Sequence, residues 1–253
     1  MDQTAALPTE IEGGLREFLD AARQAFGDEL VSAVLFGSAA EGRLRSTSDV
    51  NLLLVLKRFD RSRIDIVREP FRTAHAAMRL DIMFLLESEI EPVMDAFAVK
   101  FFDILTRRRV LFGADPFVDL VVPPEAIRRR TVQVLLNLML RMRERYALVS
   151  LREEQLAHVV ADVAGPLRAC ASAILALEGK RAPSSREALA LILTEQSDSD
   201  GNDIIKLIDM VRREGRLPPG AAAPLIFSLM STAEFMHQRI CKGSPAAAGR
   251  GHG

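Results

Sequence analysis

The sequence predicts a small α/β unit with a mixed sheet, followed by an all-helical bundle. Three observations carry that prediction. Val31-Ser-Ala-Val-Leu-Phe36 and Val50-Asn-Leu-Leu-Leu-Val-Leu56 are short, nearly continuous apolar runs of the kind found in buried strands. Apolar residues at helical spacing precede the first run and separate the second from a third. Strand signals stop after Asp115-Pro116.

Residues 9–26 set Ile11, Leu15, Phe18, Leu19, Ala22 and Phe26 at helical spacing, which predicts a first amphipathic helix in spite of Gly13-Gly14. The two apolar runs follow as central strands. Residues 60–78 return to helical spacing through Ile64, Val67, Phe71 and Ala74, and Leu80-Asp-Ile-Met-Phe-Leu85 reads as a third strand. Phe101-Phe-Asp-Ile-Leu105 and Val110-Leu-Phe112 read as further short strands. Pro123-Pro124 suits the first turn of a helix. Helices are expected over about 124–148, 151–178, 185–195, 203–214 and 224–241, separated by Ser150, Gly179, the 197–202 loop and Leu217-Pro-Pro-Gly220. Ser150 and Glu153 match a capping box, and Gly165-Pro166 should kink or divide the second of these helices. The expected domains are residues 1–118 and 119–243, with a disordered small-residue tail over 244–253.

Composition limits the function classes. The chain has 253 residues, 49% hydrophobic and 26% charged, enough apolar surface for a real core and incompatible with wholesale disorder. Formal net charge is −1, split into −5 over residues 1–120 and +4 over the remainder, which argues against a bulk polyanion binder. Cys170 and Cys241 have neither disulfide-framework nor metal-ligand spacing. With no signal-peptide pattern at the start and no run of about 18 uninterrupted apolar residues, the expectation is a cytoplasmic protein that does not engage a membrane.

The stretch from Leu35 to Val55 carries the chemistry. Gly37 lets the chain turn tightly and approach a ligand, and Ser38 offers a hydroxyl and an amide at the start of an expected short helix, where anions are favoured. Asp49 and Asn51 are two apart on a strand, so both side chains leave the same face. Asp81 adds a third oxygen donor if the third strand lies beside the second.

These residues resemble the signature of the nucleotidyltransferase superfamily with the polymerase-beta-like fold, which is Gly-Ser, about ten residues, then Asp-x-Asp on a strand, with a further carboxylate downstream. The match here is Gly37-Ser38, then Ser48-Asp49-Val50-Asn51, then Asp81, over residues 28–112. Gly42, Arg43, Arg45 and Ser46 look like the small and basic residues the family places in this loop. The segment from Phe101 to Phe117, running into the Arg128 helix, looks like a group of bacterial two-domain members with a helical C-terminal domain.

The resemblance implies a nucleotide, with ATP expected, bound by Gly37, Ser38, Arg43, Arg45 and Ser48. It implies Mg²⁺ held by Asp49, Asn51 and Asp81, with Asp49 and Asp81 catalytic, and transfer of a nucleoside monophosphate to a hydroxyl of a small-molecule or protein acceptor. Asn51 departs from the pattern by removing one charge while keeping an amide oxygen. That leaves open an impaired, nucleotide-binding or antitoxin-like interaction module. A homodimer also stays open.

Other features read as ordinary structure. Asp103, a rival third carboxylate, is expected to be structural. Arg107–Arg109 and Arg128–Arg130 read as solvated faces that could border a cleft. The pairs Arg152 with His158 and Arg68 with His75 fit the loose spacing of certain small helical ribonucleases, but chance alone supplies about one such match. His237 reads as packed at a helix surface, and Val132, Leu135, Leu136, Met139, Leu140 and Met142 as bundle core. One tyrosine, Tyr146, and no tryptophan leave few platforms for stacking single-stranded nucleic acid.

Overall fold

The computed structural model describes residues 7–42, 44, 49–196 and 201–242; Arg43, Arg45, Ser46, Ser48 and the tail over 244–253 lie outside the described residues. The chain forms two compact units, one of residues 1–96 and 101–122 and the other of residues 97–100 and 123–253.

In the first unit, helix α1 (Thr9–Phe26) buries Leu15, Phe18, Ala22, Ala25 and Phe26 along one stripe. Strand β1 (Leu30–Phe36) runs antiparallel to β2 (Val50–Leu56), and helix α2 (Arg61–Met78) crosses over to β3 (Leu80–Leu86), which lies parallel to β2. The Asp60 carboxylate caps α2 by accepting from the amides of Ser62 at 2.9 Å and Arg63 at 3.4 Å. Strand β4 (Arg108–Gly113) adds to the other side of β1, giving a mixed sheet of order β3-β2-β1-β4. Val50, Leu52, Leu54 and Leu56 pack with α1 and α2 in one core cluster, so the alternate residues Asn51, Leu53 and Val55 face the opposite side of the sheet.

Between β3 and β4 lie α3 (Ile90–Ala96) and α4 (Ala98–Thr106). The strand expected at 101–105 is therefore part of a helix. Phe101 and Ile104 are both buried, three residues apart on one helical face, a pattern that a five-residue apolar run disguises.

The second unit contains α5 (Pro124–Val149), α6 (Glu153–Leu177), α7 (Ser185–Gln196), α8 (Gly201–Glu214) and α9 (Ala222–Lys242). Gly165-Pro166 does not divide α6, which is continuous. By length and composition α6 could cross a bilayer, but its apolar residues from Leu156 to Leu175 are spent in the core of the bundle. The buried Arg168 guanidinium donates to Asp209 at 2.9 Å, and Arg186 reaches the other oxygen of the same carboxylate at 2.8 Å, tying α6, α7 and α8 together.

The expected capping box at Ser150 does not form. Ser150 ends α5, and Glu153 instead accepts from the amides of Gly220 at 2.8 Å and Ala222 at 3.1 Å, capping the start of α9.

Candidate active site

Three strand ends meet at one edge of the sheet. Because β1 runs antiparallel to β2 while β3 runs parallel to it, the last residues of β1 and the first of β2 and β3 lie together. Asn51 is in register with Phe36 on one side and with Asp81 on the other. Register partners on adjacent strands are about 4.8 Å apart and share a face. The side chains of Asn51 and Asp81 therefore emerge side by side, away from α1 and α2. Asp49, two residues before Asn51, belongs to the same face.

The Gly37-Ser38 turn closes this edge. Gly37 has φ +74°, a conformation that favours glycine, and a side chain there would come within 3.8 Å of the Asn51 amide nitrogen. The Gly37 amide is already committed to the Arg107 carbonyl at 3.1 Å, which leaves the Ser38 amide and hydroxyl as the groups a phosphate can use. Among the described residues 37–42, no helix follows Ser38. Residues 37–42 form turns in which the Glu41 amide reaches the Gly37 carbonyl at 3.3 Å and the Gly42 amide the Ala39 carbonyl at 3.2 Å. Among the described residues, a phosphate at this turn would meet individual donors and no helix N-terminus.

Asp49 is half-exposed and accepts from Arg79 Nε at 2.7 Å. Asn51 Nδ2 donates to the Asp49 backbone carbonyl at 3.3 Å, which leaves the amide oxygen as its potential ligand atom. Asp81 is exposed, and no partner is recorded for it among the described residues. The donor set is thus two carboxylates and one amide oxygen. Among the described residues, no group of three or more His, Cys, Asp and Glu is arranged to hold a metal ion by itself. Two carboxylates and an amide fit one hard divalent cation when phosphate oxygens and waters complete its octahedron.

Asp103 belongs to a different cluster. It pairs with Arg107, whose guanidinium also reaches Glu41 at 3.3 Å. Burial works against the charge on Arg107, but the Asp103 and Glu41 carboxylates outweigh it and raise its pKa. Arg107 thus anchors the Gly37–Gly42 turns through both its carbonyl and its side chain. Arg108 pairs with Asp115 at 2.8 Å, and Arg109 buries its Nε. The Arg107–Arg109 run is not a solvated face. Arg128 likewise turns inward within its own unit and donates to the Ile240 carbonyl at 2.9 Å.

Arg79 is the site residue that sequence reasoning missed. It lies 30 positions from Asp49, and its only signal was a basic residue at the joint between a helix and a strand. Of the residues named from the sequence, the structure brings Gly37, Ser38, Asp49, Asn51 and Asp81 to one edge.

The family model of the nucleotidyltransferase domain matches residues 15–107. A Methanocaldococcus jannaschii protein named "Putative protein adenylyltransferase MJ1305" is 49% identical over 51 residues, 20% of this chain and 35% of that protein. The chain thus spans about a third of that relative's length. Among solved structures, spectinomycin adenyltransferase AAD(9) from Enterococcus faecialis, determined with ATP and spectinomycin, superposes with a TM-score of 0.63 at 13% identity, covering 91% of this chain and 99% of that one. That likeness establishes the fold over both units.

Proposed function

We propose, for a chain whose α/β unit belongs to the nucleotidyltransferase superfamily, that it transfers AMP from ATP to a hydroxyl of a small-molecule or protein acceptor. The observation that carries the reading is the register of Asn51 against Asp81, with Asp49 on the same face and the Gly37-Ser38 turn at the same edge. The names of the two similar proteins support ATP as donor, and one names a protein and the other an antibiotic on the acceptor side. The scarcity of aromatic platforms favours such acceptors over a polynucleotide.

Mg²⁺ would be held by Asp49, Asn51 and Asp81, and when bound it supplies positive charge to the triphosphate and fixes its orientation. Ser38 donates to the leaving phosphates through its amide and hydroxyl. Asp81, exposed and without a recorded cationic partner, accepts the proton of the acceptor hydroxyl. The hydroxyl oxygen bonds to the α-phosphorus in line, the bond to the bridging oxygen breaks, and pyrophosphate departs. Most of the protein's contribution is positioning. By the family resemblance, Arg43, Arg45 and Ser48 would also bind the nucleotide. A reducing cytosol suits the unpaired Cys170 and Cys241.

Titration calorimetry with ATP, with and without Mg²⁺, tests the reading. Metal-dependent binding that Asp49→Ala abolishes is expected, followed by pyrophosphate release when acceptor extracts are added. A second reading, a nucleotide-binding or antitoxin-like module without turnover, is favoured by Asn51. Tight binding with no pyrophosphate release from any extract would select it, and absence of nucleotide binding would sink the first.

A further inference from the structure

Arg79 has the one backbone conformation of its kind among the described residues. It closes α2 with φ 54° and ψ 42°, and no other described residue except glycine has a positive φ. Helices ordinarily end this way on glycine or asparagine, because a β-carbon is disfavoured there. Its neighbours hold it in place: the Arg79 amide donates to the His75 carbonyl at 2.8 Å, and the Val50 amide donates to the Arg79 carbonyl at 3.2 Å. Arg79 is thereby hydrogen-bonded to the residue that follows Asp49. Its Nε engages Asp49 Oδ1 at 2.7 Å, while no partner is recorded for its terminal nitrogens among the described residues.

This arrangement decides how many cations the site can hold. A carboxylate bridges two metals by giving one oxygen to each, and two-metal phosphoryl sites hold their ions about 3.5–4 Å apart. One oxygen of Asp49 is taken by a guanidinium. Asn51, in the place of the family's second aspartate, brings no charge. With Asp49 and Asp81 negative and Arg79 positive, the cluster is much less anionic than three carboxylates would be. Such a cluster matches one divalent cation and cannot compensate two. Resting on the nucleotidyl-transfer reading above, we infer that Arg79 stands in for the second cation: Nε orients Asp49 so that Oδ2 serves a single metal, and the terminal nitrogens pair with the nucleotide's phosphates, which suit a planar, permanently charged donor.

Electron paramagnetic resonance of the full chain with Mn²⁺ and the non-hydrolysable analogue α,β-methylene-ATP tests this. The wild-type protein should bind one Mn²⁺ per nucleotide with a single-ion spectrum. Arg79→Gly, which removes the backbone strain, should melt no lower than wild type, yet bind the analogue about tenfold more weakly, the contribution of one charged hydrogen bond. Added Mn²⁺ should restore that binding as a spin-coupled pair. Arg79→Lys should fall between, because one ammonium cannot serve both carboxylate and phosphate. A coupled pair in the wild type, or unchanged affinity and a single-ion spectrum in Arg79→Gly, would overturn the role of Arg79 and leave nucleotidyl transfer intact. Binding of neither Mn²⁺ nor nucleotide by the wild type would overturn both.

Discussion

Asn51 on β2 and Asp81 on β3 face each other in parallel register, so an amide stands beside the one carboxylate of the candidate site for which no ion pair is recorded among the described residues. A parallel pair places these side chains on one face without any contribution from loops. The relationship therefore depends on the two apolar strands.

On the proposed reading, in which Asp81 serves the acceptor side, Asp81→Asn should depress turnover far more than nucleotide binding. Asp103→Asn should do the reverse of a catalytic lesion. It should leave turnover near wild type and lower the melting temperature, because it weakens the half-buried pair with Arg107. Steady-state kinetics beside thermal melts of both variants make the comparison. The opposite ranking would move the third carboxylate to Asp103.

Asp209→Asn should be among the more damaging changes in the helical unit. The Arg168 side chain is only 9% exposed, and both it and Arg186 lose the charge of the Asp209 carboxylate that they reach. Breaking one side of a buried pair costs about 3–5 kcal/mol. A melting temperature within a degree or two of wild type would show that the cluster is dispensable.

Glu153 predicts a pH dependence. Backbone hydrogen bonds from Gly220 and Ala222 hold its carboxyl below the ordinary value of 4.5. A group depressed in the folded state contributes stability that is fully present above its unfolded pKa and is lost as pH falls through the folded one. The stability difference between wild type and Glu153→Gln should therefore be largest at neutral pH and shrink below about pH 4.5 as both states of the wild type protonate. A difference that grows on acidification would contradict the cap.

Glu153 also shows where sequence reading reaches its limit. Its spacing from Ser150 matched a local capping box, but the carboxylate serves a helix start 67 residues away, a partner that no local pattern encodes. The same limit hid Arg79. The strands were legible because two-sided burial leaves continuous apolar runs such as Leu52–Leu56, and Gly37, Asp49 and Asn51 were legible because they punctuate the ends of those runs. Phe101–Leu105 was misread because five residues are too few to separate a buried helical turn from a strand.

Asn51→Asp tests whether the amide reflects lost function or a working variant. The new carboxylate would place a full charge beside the cation position, an interaction of about 4 kcal/mol per charge pair at 4 Å for an effective dielectric near 20. Desolvation and repulsion from Asp49 and Asp81 subtract from that figure, while Arg79 on Asp49 Oδ1 limits the repulsion. Mn²⁺ should bind at least about tenfold more tightly, which needs only about 1.4 kcal/mol of the gross interaction to survive. Turnover then separates two histories. A decayed enzyme with intact geometry gains nucleotidyl transfer when the charge returns. A site tuned to the amide slows, because the extra charge holds the cation and pyrophosphate too long. Calorimetric Mn²⁺ affinity measured beside pyrophosphate release in the same variant distinguishes the two. Mn²⁺ affinity that does not move at all would mean that the side chain at position 51 does not face the cation, and the shared face of Asn51 and Asp81 would then have to bind something else.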